Sequence, residues 1–290
     1  MAWSDIGRCF KNLQSAPPTG PEADALWAEF TRAVEATRHN PPYHLKLLLE
    51  HLEQARGPRE RSEYRLLDHG CGGGRNLFYL AVLGYTDFWG VDMGDLPYHR
   101  QLNAIAAERF GHAEPRLLGY DGTHLPLPTG SVDAVFSQQV LEHVTDAQLD
   151  AYYAEEGRVL VAGGIALHYV PHRLVPYDSH TRTWLIHYLP KPLYHRAGRI
   201  IGRPVPGHLH LRWPWHHRRL ARRHIGAVRD LTLQRFFVHL GDQDAYDGPR
   251  ALRRLLGAAL RQPWLNRLAA PLVGNLVMLE TLATKPPETA

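Results

Sequence analysis

Residues 66–74, Leu-Leu-Asp-His-Gly-Cys-Gly-Gly-Gly, constrain this chain more than any other stretch. A short apolar run ends in Asp68 and breaks into a glycine-dense turn, and a helical pattern from Arg75 to Leu83 follows at once. Strand, glycine turn, helix is how an α/β sheet brings bare backbone close to a nucleotide-like ligand. Glycines in such a turn tolerate φ > 0 and lack the Cβ that would block approach. The spacing Gly70-x-Gly72-x-Gly74 is not the G-x-G-x-x-G of dinucleotide enzymes, and no Gly-Lys-Ser/Thr closes it as in a P-loop.

The residues that follow narrow the reading. Phe88-Trp89-Gly90-Val91-Asp92 has the pattern of a second strand ending in an acid, and a carboxylate there can accept hydrogen bonds from both hydroxyls of a ribose. Leu117-Leu118-Gly119-Tyr120-Asp121 ends in another acid. Leu125-Pro126-Leu127-Pro128 and a strand pattern from Val132 to Ser137 come next, then Val140-Leu141-Glu142-His143-Val144. In order and spacing these motifs resemble the class I S-adenosylmethionine-dependent methyltransferases of the small-molecule (methyltransferase 11, ubiquinone) type. The resemblance covers roughly residues 64–170 and rests on four ordered motifs rather than one.

The resemblance implies a set of roles. Asp68 lies beneath the amino-acid portion of S-adenosyl-L-methionine, and the backbone of Gly70, Cys71 and Gly72 passes close to its methionine and ribose portions, with Gly74 closing the turn. Asp92 holds the ribose hydroxyls, and Met93 lies against the adenine. Asp121, with Gly122 beside it, faces the adenine amino group, and Gln138 and Gln139 end the fourth strand near the sulfonium. Some relatives carry Glu-x-x-Glu-His and bind a divalent cation there. Here Gln139 replaces the first Glu, and a neutral amide is a poorer ligand for a hard cation than a carboxylate. Glu142 and His143 remain the metal candidates, with His168, His172, Asp178 or His180 to complete a site; a divalent cation is the minor expectation.

Alternating strand and helix patterns from Tyr64 onward predict a parallel sheet with helices on both faces. Strands are expected at 64–69, 87–92, 115–120, 132–138, 163–170 and near 230–240, where Phe236, Val238 and Leu240 alternate, with a final strand from Asn275 to Ala283. Helices are expected at 74–84, 98–110, 146–161 and 249–262. The fold class is therefore α/β: a seven-stranded, mostly parallel Rossmann-like sheet whose last strand is antiparallel, the late hairpin being what the resemblance implies. Four parts are expected: an N-terminal helical lid (1–60), a cofactor-binding core (61–170), a basic substrate-binding cap inserted after the fifth strand (171–228), and a C-terminal completion of the sheet (229–290). Short helices are expected in the cap near 181–188, 192–201 and 214–224.

Charge is segregated. Between Pro171 and Ala227 there are eleven Lys/Arg and a single acid, Asp178, so the rest of the chain is net acidic although the whole carries +4. Arginine grips carboxylate and phosphate bidentately, which points to a small-molecule, sugar or lipid-linked acceptor bearing an anionic group. The run Arg218-Arg219-Leu220-Ala221-Arg222-Arg223 could instead rest on an anionic membrane. No recognised nucleic-acid-binding motif is present, so no specific nucleic acid is expected. Cys9 and Cys71 stand in different settings and suggest a reduced, cytoplasmic compartment. No signal peptide and no membrane-spanning run are expected.

Methyl transfer from a sulfonium is an in-line displacement in which the enzyme chiefly aligns the partners. A hydroxyl acceptor also needs a base. His143, on the loop after the fourth strand, is the leading candidate, because imidazole titrates near neutral pH. Glu142, His172, Asp178 and His180 are supporting candidates, and oxygen is the favoured target atom. The rival readings are an N- or C-methyltransferase, a membrane-peripheral enzyme acting on a glycolipid, and a protein that holds the cofactor without turnover.

Overall fold

The computed structural model describes residues 3–15, 17–241, 258, 262–264, 272 and 274–288. Three helices lead the chain: α1 (Trp3–Ser15), α2 (Pro21–Glu35) and α3 (Tyr43–Arg56). Strand and helix then alternate through β1 (Leu66–His69), α4 (Arg75–Val82), β2 (Phe88–Met93), α5 (His99–Phe110), β3 (Leu117–Tyr120), β4 (Val132–Gln138), α6 (Leu149–Val159) and β5 (Leu160–Val170). A hairpin of β6 (Tyr177–Asp178) and β7 (Thr183–Trp184) follows, then α7 (Lys191–Ile200), α8 (Pro214–His224), β8 (Ala227–Asp230), α9 (Thr232–Gly241) and β9 (Leu279–Thr284).

The sheet has seven strands in the order β3-β2-β1-β4-β5-β9-β8. Pairings among β1 to β5 are parallel, and β9 runs antiparallel to both β5 and β8. The order reverses between β1 and β4, which opens a crevice beyond their carboxyl ends. Alternate residues feed two apolar layers. Leu66, Ala134, Phe136, Ile165 and Leu167 face the layer that includes α1 to α5, while Leu67, Val135 and Ala166 face α6 and α8. This period of two is the pleat of the strands.

Arginines tie the leading helices to the sheet. The fully buried Asp133 carboxylate accepts from Arg56 Nε at 2.9 Å and from Arg65 N at 3.0 Å, with Arg59 at 3.7 Å. A buried carboxylate needs such company, because its desolvation costs several kcal/mol (roughly, after relaxation). Over the glycine turn, Gln14 of α1 donates to the Gly73 carbonyl at 3.0 Å, and Arg75 stacks on Trp3 at 4.1 Å.

Three expectations are corrected. The strand expected near 230–240 is β8, ending at Asp230, followed by helix α9; the Asp230 carboxylate accepts from Thr232 N at 2.9 Å and turns the chain into the helix. The alternation of Phe236 and Val238 is therefore coincidental. The helix expected at 181–188 is β7 followed by a 3₁₀ turn, Ile186–Tyr188, because Arg182 and Leu185 take positive φ of 54° and 60°. The final strand starts at Leu279 rather than Asn275. The helix expected at 249–262 lies outside the described residues apart from Ala258 and Gln262. Helices α7 and α8 stand within a residue or two of expectation, and α8 packs on α6.

That packing depends on a glycine. A Cβ on Gly157 of α6 would lie 2.1 Å from the carbonyl oxygen of His224, backbone that cannot swing away. Gly to Ala in a helix normally stabilises by about 1 kcal/mol. Here overpacking dominates, and Gly157→Ala is expected to destabilise by roughly 1–3 kcal/mol. Urea denaturation checks this, and a gain in stability would show that α8 does not press on α6 as described.

Candidate functional site

At the crevice, Gly70, Gly72 and Gly74 take φ of 89°, 49° and 75°, in the region that favours glycine. Asp92, at the end of β2, reaches back to this turn. Its Oδ2 accepts from Gly72 N at 2.6 Å and its Oδ1 from Met93 N at 2.7 Å. Each oxygen keeps a further lone pair for a ligand. Met93 is more than half exposed beside it. Asp121 accepts from Thr123 N and His124 N, which hold its carboxyl down at about 2.

Asp68 lies beneath the turn and is buried, with one carboxylate oxygen lacking a partner. Burial, helped by the charge of Asp92, pushes its carboxyl up to about 8 against a hydrogen bond from Asn76. Burial likewise pushes the Cys71 thiol well up, so Cys71 is a small turn residue and no ready nucleophile. Sequence reasoning missed His99, whose Nε2 donates to the Gly72 carbonyl at 3.0 Å, and Gln14 of α1. Neither residue stands in a motif. A cavity of about 330 Å³ opens here, lined by Lys11, Gln14, Cys71, Gly73, Arg75 and Asn76 among others.

A second cluster forms where the loop after β4 meets the β6–β7 hairpin. Glu142 is buried, and neither carboxylate oxygen has a hydrogen-bond partner; burial pushes its carboxyl up to about 7. His143 donates Nδ1–H to the His208 carbonyl at 3.3 Å, which leaves its Nε2 lone pair free. Burial, and then the neighbouring imidazoles, lower its pKa. His180 donates Nδ1–H to Asp178 at 3.2 Å, which raises its pKa, and its Nε2 lies 3.8 Å from Glu142. Burial opposes the charge of Asp178, but hydrogen bonds from His180, Thr181 and Tyr194 hold its carboxyl well below the usual range.

Of the four catalytic candidates, the structure therefore brings His143, Asp178 and His180 together and leaves His172 apart. His172 donates Nε2–H to the Val277 carbonyl and accepts from Leu174 N, so both ring nitrogens are engaged with backbone. Gln138 ends β4, and Gln139, exposed, takes a φ of 56°. Ligand atoms of Glu142, His143 and His180 all lie within 4.8 Å of one another, so these three would hold a cation if one binds. His168 and Asp178 are spent elsewhere, His168 on Glu156 at 2.6 Å.

One arginine ties the loop to the segment that follows α7. The buried Arg212 donates to the carbonyls of Leu141, Val144 and His210 and to the Asp146 carboxylate. Beside it lies a cavity of about 160 Å³ lined by Arg173, His187, Lys191, Tyr194, His195 and Arg212 among others. The buried Nε of Arg173 and Nδ1 of His187 have no hydrogen-bond partner there.

The methyltransferase domain family matches residues 67–168, from β1 to β5, the span that carries the glycine turn and the acids at the strand ends. Residues 67–168 are a class I S-adenosylmethionine-dependent methyltransferase domain. Its cofactor is S-adenosyl-L-methionine. The crevice at the glycine turn fits that group: a Cβ on Gly72 would meet nothing within 4 Å, and a buried Asp68 oxygen has no hydrogen-bond partner. Malonyl-[acyl-carrier protein] O-methyltransferase of Yersinia pestis is 32% identical over 153 residues, which cover 52% of this chain and 52% of that protein. The chain thus matches about half the length of that curated relative. Solved structures similar to this chain include geranyl diphosphate C-methyltransferase from Streptomyces coelicolor A3(2), with 16% identity, a TM-score of 0.46, and coverage of 98% of this chain and 87% of that one. Haemonchus contortus phosphoethanolamine N-methyltransferase 2 shows 20% identity, a TM-score of 0.44, and coverage of 83% and 52%.

Two predictions test the methyltransferase site. Asp92→Ala removes a charge-assisted acceptor worth about 1.5–3 kcal/mol and is expected to weaken S-adenosylhomocysteine binding roughly 10- to 100-fold. Calorimetry reads this, and unchanged affinity would remove Asp92 from the site. Asp68 titrates near 3.8 when unfolded and at about 8 when folded, so the folded state holds the extra proton between those values. Stability lost to Asp68 therefore grows as pH rises through that window. Ligand-free Asp68→Asn protein is expected to gain melting temperature over the parent from pH 5 to pH 8 (about the span of the shift). A constant difference across that range would contradict the burial argument.

Proposed function

We propose that this protein moves the methyl group of S-adenosylmethionine to an oxygen of a small-molecule or glycosidic acceptor that bears an anionic group, with His143 as general base. The observation that carries this is the free Nε2 of His143, fixed by its Nδ1–H bond to His208 on the loop beyond β4. In this reading Nε2 takes the hydroxyl proton as the acceptor oxygen forms its bond to the methyl carbon and the carbon–sulfur bond breaks. The proton ends on imidazole, and the sulfur leaves as a neutral thioether. The buried Glu142, within 4.8 Å of His143, offsets the charge that the proton brings, and Asp178 holds His180 beside the pair. Should a divalent cation occupy Glu142, His143 and His180, it would supply charge to lower the acceptor's pKa there.

Cofactor contacts in this reading follow the strand ends. Asp92 takes the ribose hydroxyls, Met93 the adenine face, Asp121 and Gly122 the adenine edge. Asp68 and the turn from Gly70 to Gly74 take the methionine portion, and Gln138 and Gln139 border the sulfonium. The N-terminal helices act as a lid, supported by the Gln14–Gly73 bond, and residues 171–228 select the acceptor. Support for an anionic acceptor comes from the cationic cavity, whose acid, Asp146, is already bound to Arg212. Both cysteines are free thiols, in keeping with a cytoplasmic setting.

The same cavity favours a second reading, in which the methylated oxygen belongs to a carboxylate, as in the name of the Yersinia relative. A carboxylate needs no base. His143→Ala separates the two. For a hydroxyl acceptor the variant is expected to lose about 100-fold or more in kcat while cofactor affinity holds. Wild-type kcat/KM should then rise with pH through the lowered pKa of His143, below about 6.5, and level off above it. Production of S-adenosylhomocysteine from metabolite extracts reads both. A variant as active as the parent removes the base role.

A further inference from the structure

We infer that the outer face of the cap is a docking surface for an anionic lipid bilayer, from which the enzyme takes a lipid-linked acceptor. The inference rests on the proposed function and narrows its acceptor class. Among the described residues, ten of the fourteen exposed large apolar side chains fall between Tyr177 and Trp215, so the exposure is concentrated, not scattered. Trp184 is 66% exposed, Leu193 52% and Ile200 75%.

These residues are the outside of well-seated elements. On α7, Tyr194 and Gly198 are buried: Tyr194 donates to Asp178, and a Cβ on Gly198 would lie 2.6 Å from the Arg203 carbonyl. The inner face is therefore occupied. Leu193 and Ile200, seven residues apart, share one stripe of α7 on the side away from that packing, and exposed Leu189 precedes the helix. Two pieces flank it. Tyr177 and Trp184 pack across the β6–β7 hairpin, 5.2 Å apart, and Trp213 and Trp215 stack 5.0 Å apart before and within the first turn of α8. Arg173 joins them into one patch, stacking over Trp213 at 5.2 Å while donating to the carbonyls of Tyr188 and Leu189.

The cations choose the partner. Arg182 of the hairpin, Arg196 and Arg199 of α7 and Arg203 just beyond it are exposed, and none has an ion-pair partner among the described residues. Asp178, the acid of this segment, is buried and fully used. The basic run on α8 differs: Arg218 pairs with Asp230, and Arg223 with Asp150. Docking is therefore assigned to α7 and the hairpin, not to that run. Tryptophan and branched apolar tips amid long basic side chains suit the headgroup layer, where each cation near an anionic surface is worth about 1 kcal/mol. No described helix is long and apolar enough to cross a membrane, so the contact is with the surface. Helix α7 also sends Lys191 and Tyr194 into the cationic cavity. One helix thus faces lipid outside and an anionic headgroup inside.

The full chain is sedimented with phosphatidylcholine vesicles, with and without about one-third phosphatidylglycerol. Wild type is expected to pellet with the anionic vesicles and not the neutral ones, with a blue shift of tryptophan emission. Leu193→Glu/Ile200→Glu and, separately, Arg196→Glu/Arg199→Glu are each expected to weaken this about 10-fold or more. Absence of pelleting at low salt overturns the proposal and leaves an acidic protein as the partner for these charges. Pelleting that both double variants retain also overturns it, since the contact then lies elsewhere. Calorimetric uptake of S-adenosylhomocysteine is measured on the same samples. If uptake persists without vesicle binding, the docking surface fails and the methyltransferase reading stands; if uptake is absent from wild type, the methyltransferase reading itself fails.

Discussion

A single buried carboxylate underlies the crevice. Glu156 of α6 has no exposed surface, yet its Oε1 accepts from His69 Nδ1 at 3.0 Å and its Oε2 from His168 Nε2 at 2.6 Å. Burial works against its charge, but the two imidazoles prevail and bring its carboxyl down to about 2. His69 ends β1 and His168 lies on β5, so one side chain spans the strands that flank β4. Tyr152, stacked on His69 with centroids 3.7 Å apart, adds β4 by donating to Ser137 at 2.8 Å. The far nitrogen of His69 meets Tyr120 at the end of β3. Asp68, Asp121 and Gln138, each next to one of these anchored residues, inherit their positions from the network. Its cost is high, because a buried polar network in a dry environment must be paired and the Nδ1 of His168 is left without a partner.

Much of the frame was legible in the sequence because its signals are local. Apolar runs that end in an acid, and a glycine turn between Asp68 and Arg75, depend on a few adjacent residues, and β1 to β5 fall within three residues of where the pattern puts them. The errors have a different origin. Phe236, Val238 and Leu240 alternate as a strand would, but Asp230 has already turned the chain into a helix. At Arg182 and Leu185 the hairpin requires left-handed backbone that neither residue type announces.

Residues of the candidate site divide along the same line. His143, Asp178 and His180 could be chosen by chemistry, and the fold brings them together. His172 looked equivalent on paper, and only the fold shows it spent on Val277 and Leu174. Gln14, His99 and Glu156 escaped notice because each acts across a large gap in the chain, up to the 87 residues between His69 and Glu156. No periodicity encodes such contacts. The charge asymmetry was legible as a quantity, but its division was not: α8 spends Arg218 and Arg223 on neighbouring acids, while the cations of α7 have no ion-pair partner among the described residues.

Arg212 has one more consequence. By gripping three carbonyls and an acid drawn from both the Leu141–Asp146 loop and the irregular segment that carries His210, it ties the two segments into one piece. Any displacement of the His208–Arg212 segment would carry the His143 loop with it. The placement of the His143 imidazole is thereby set by a segment 65 residues further along the chain.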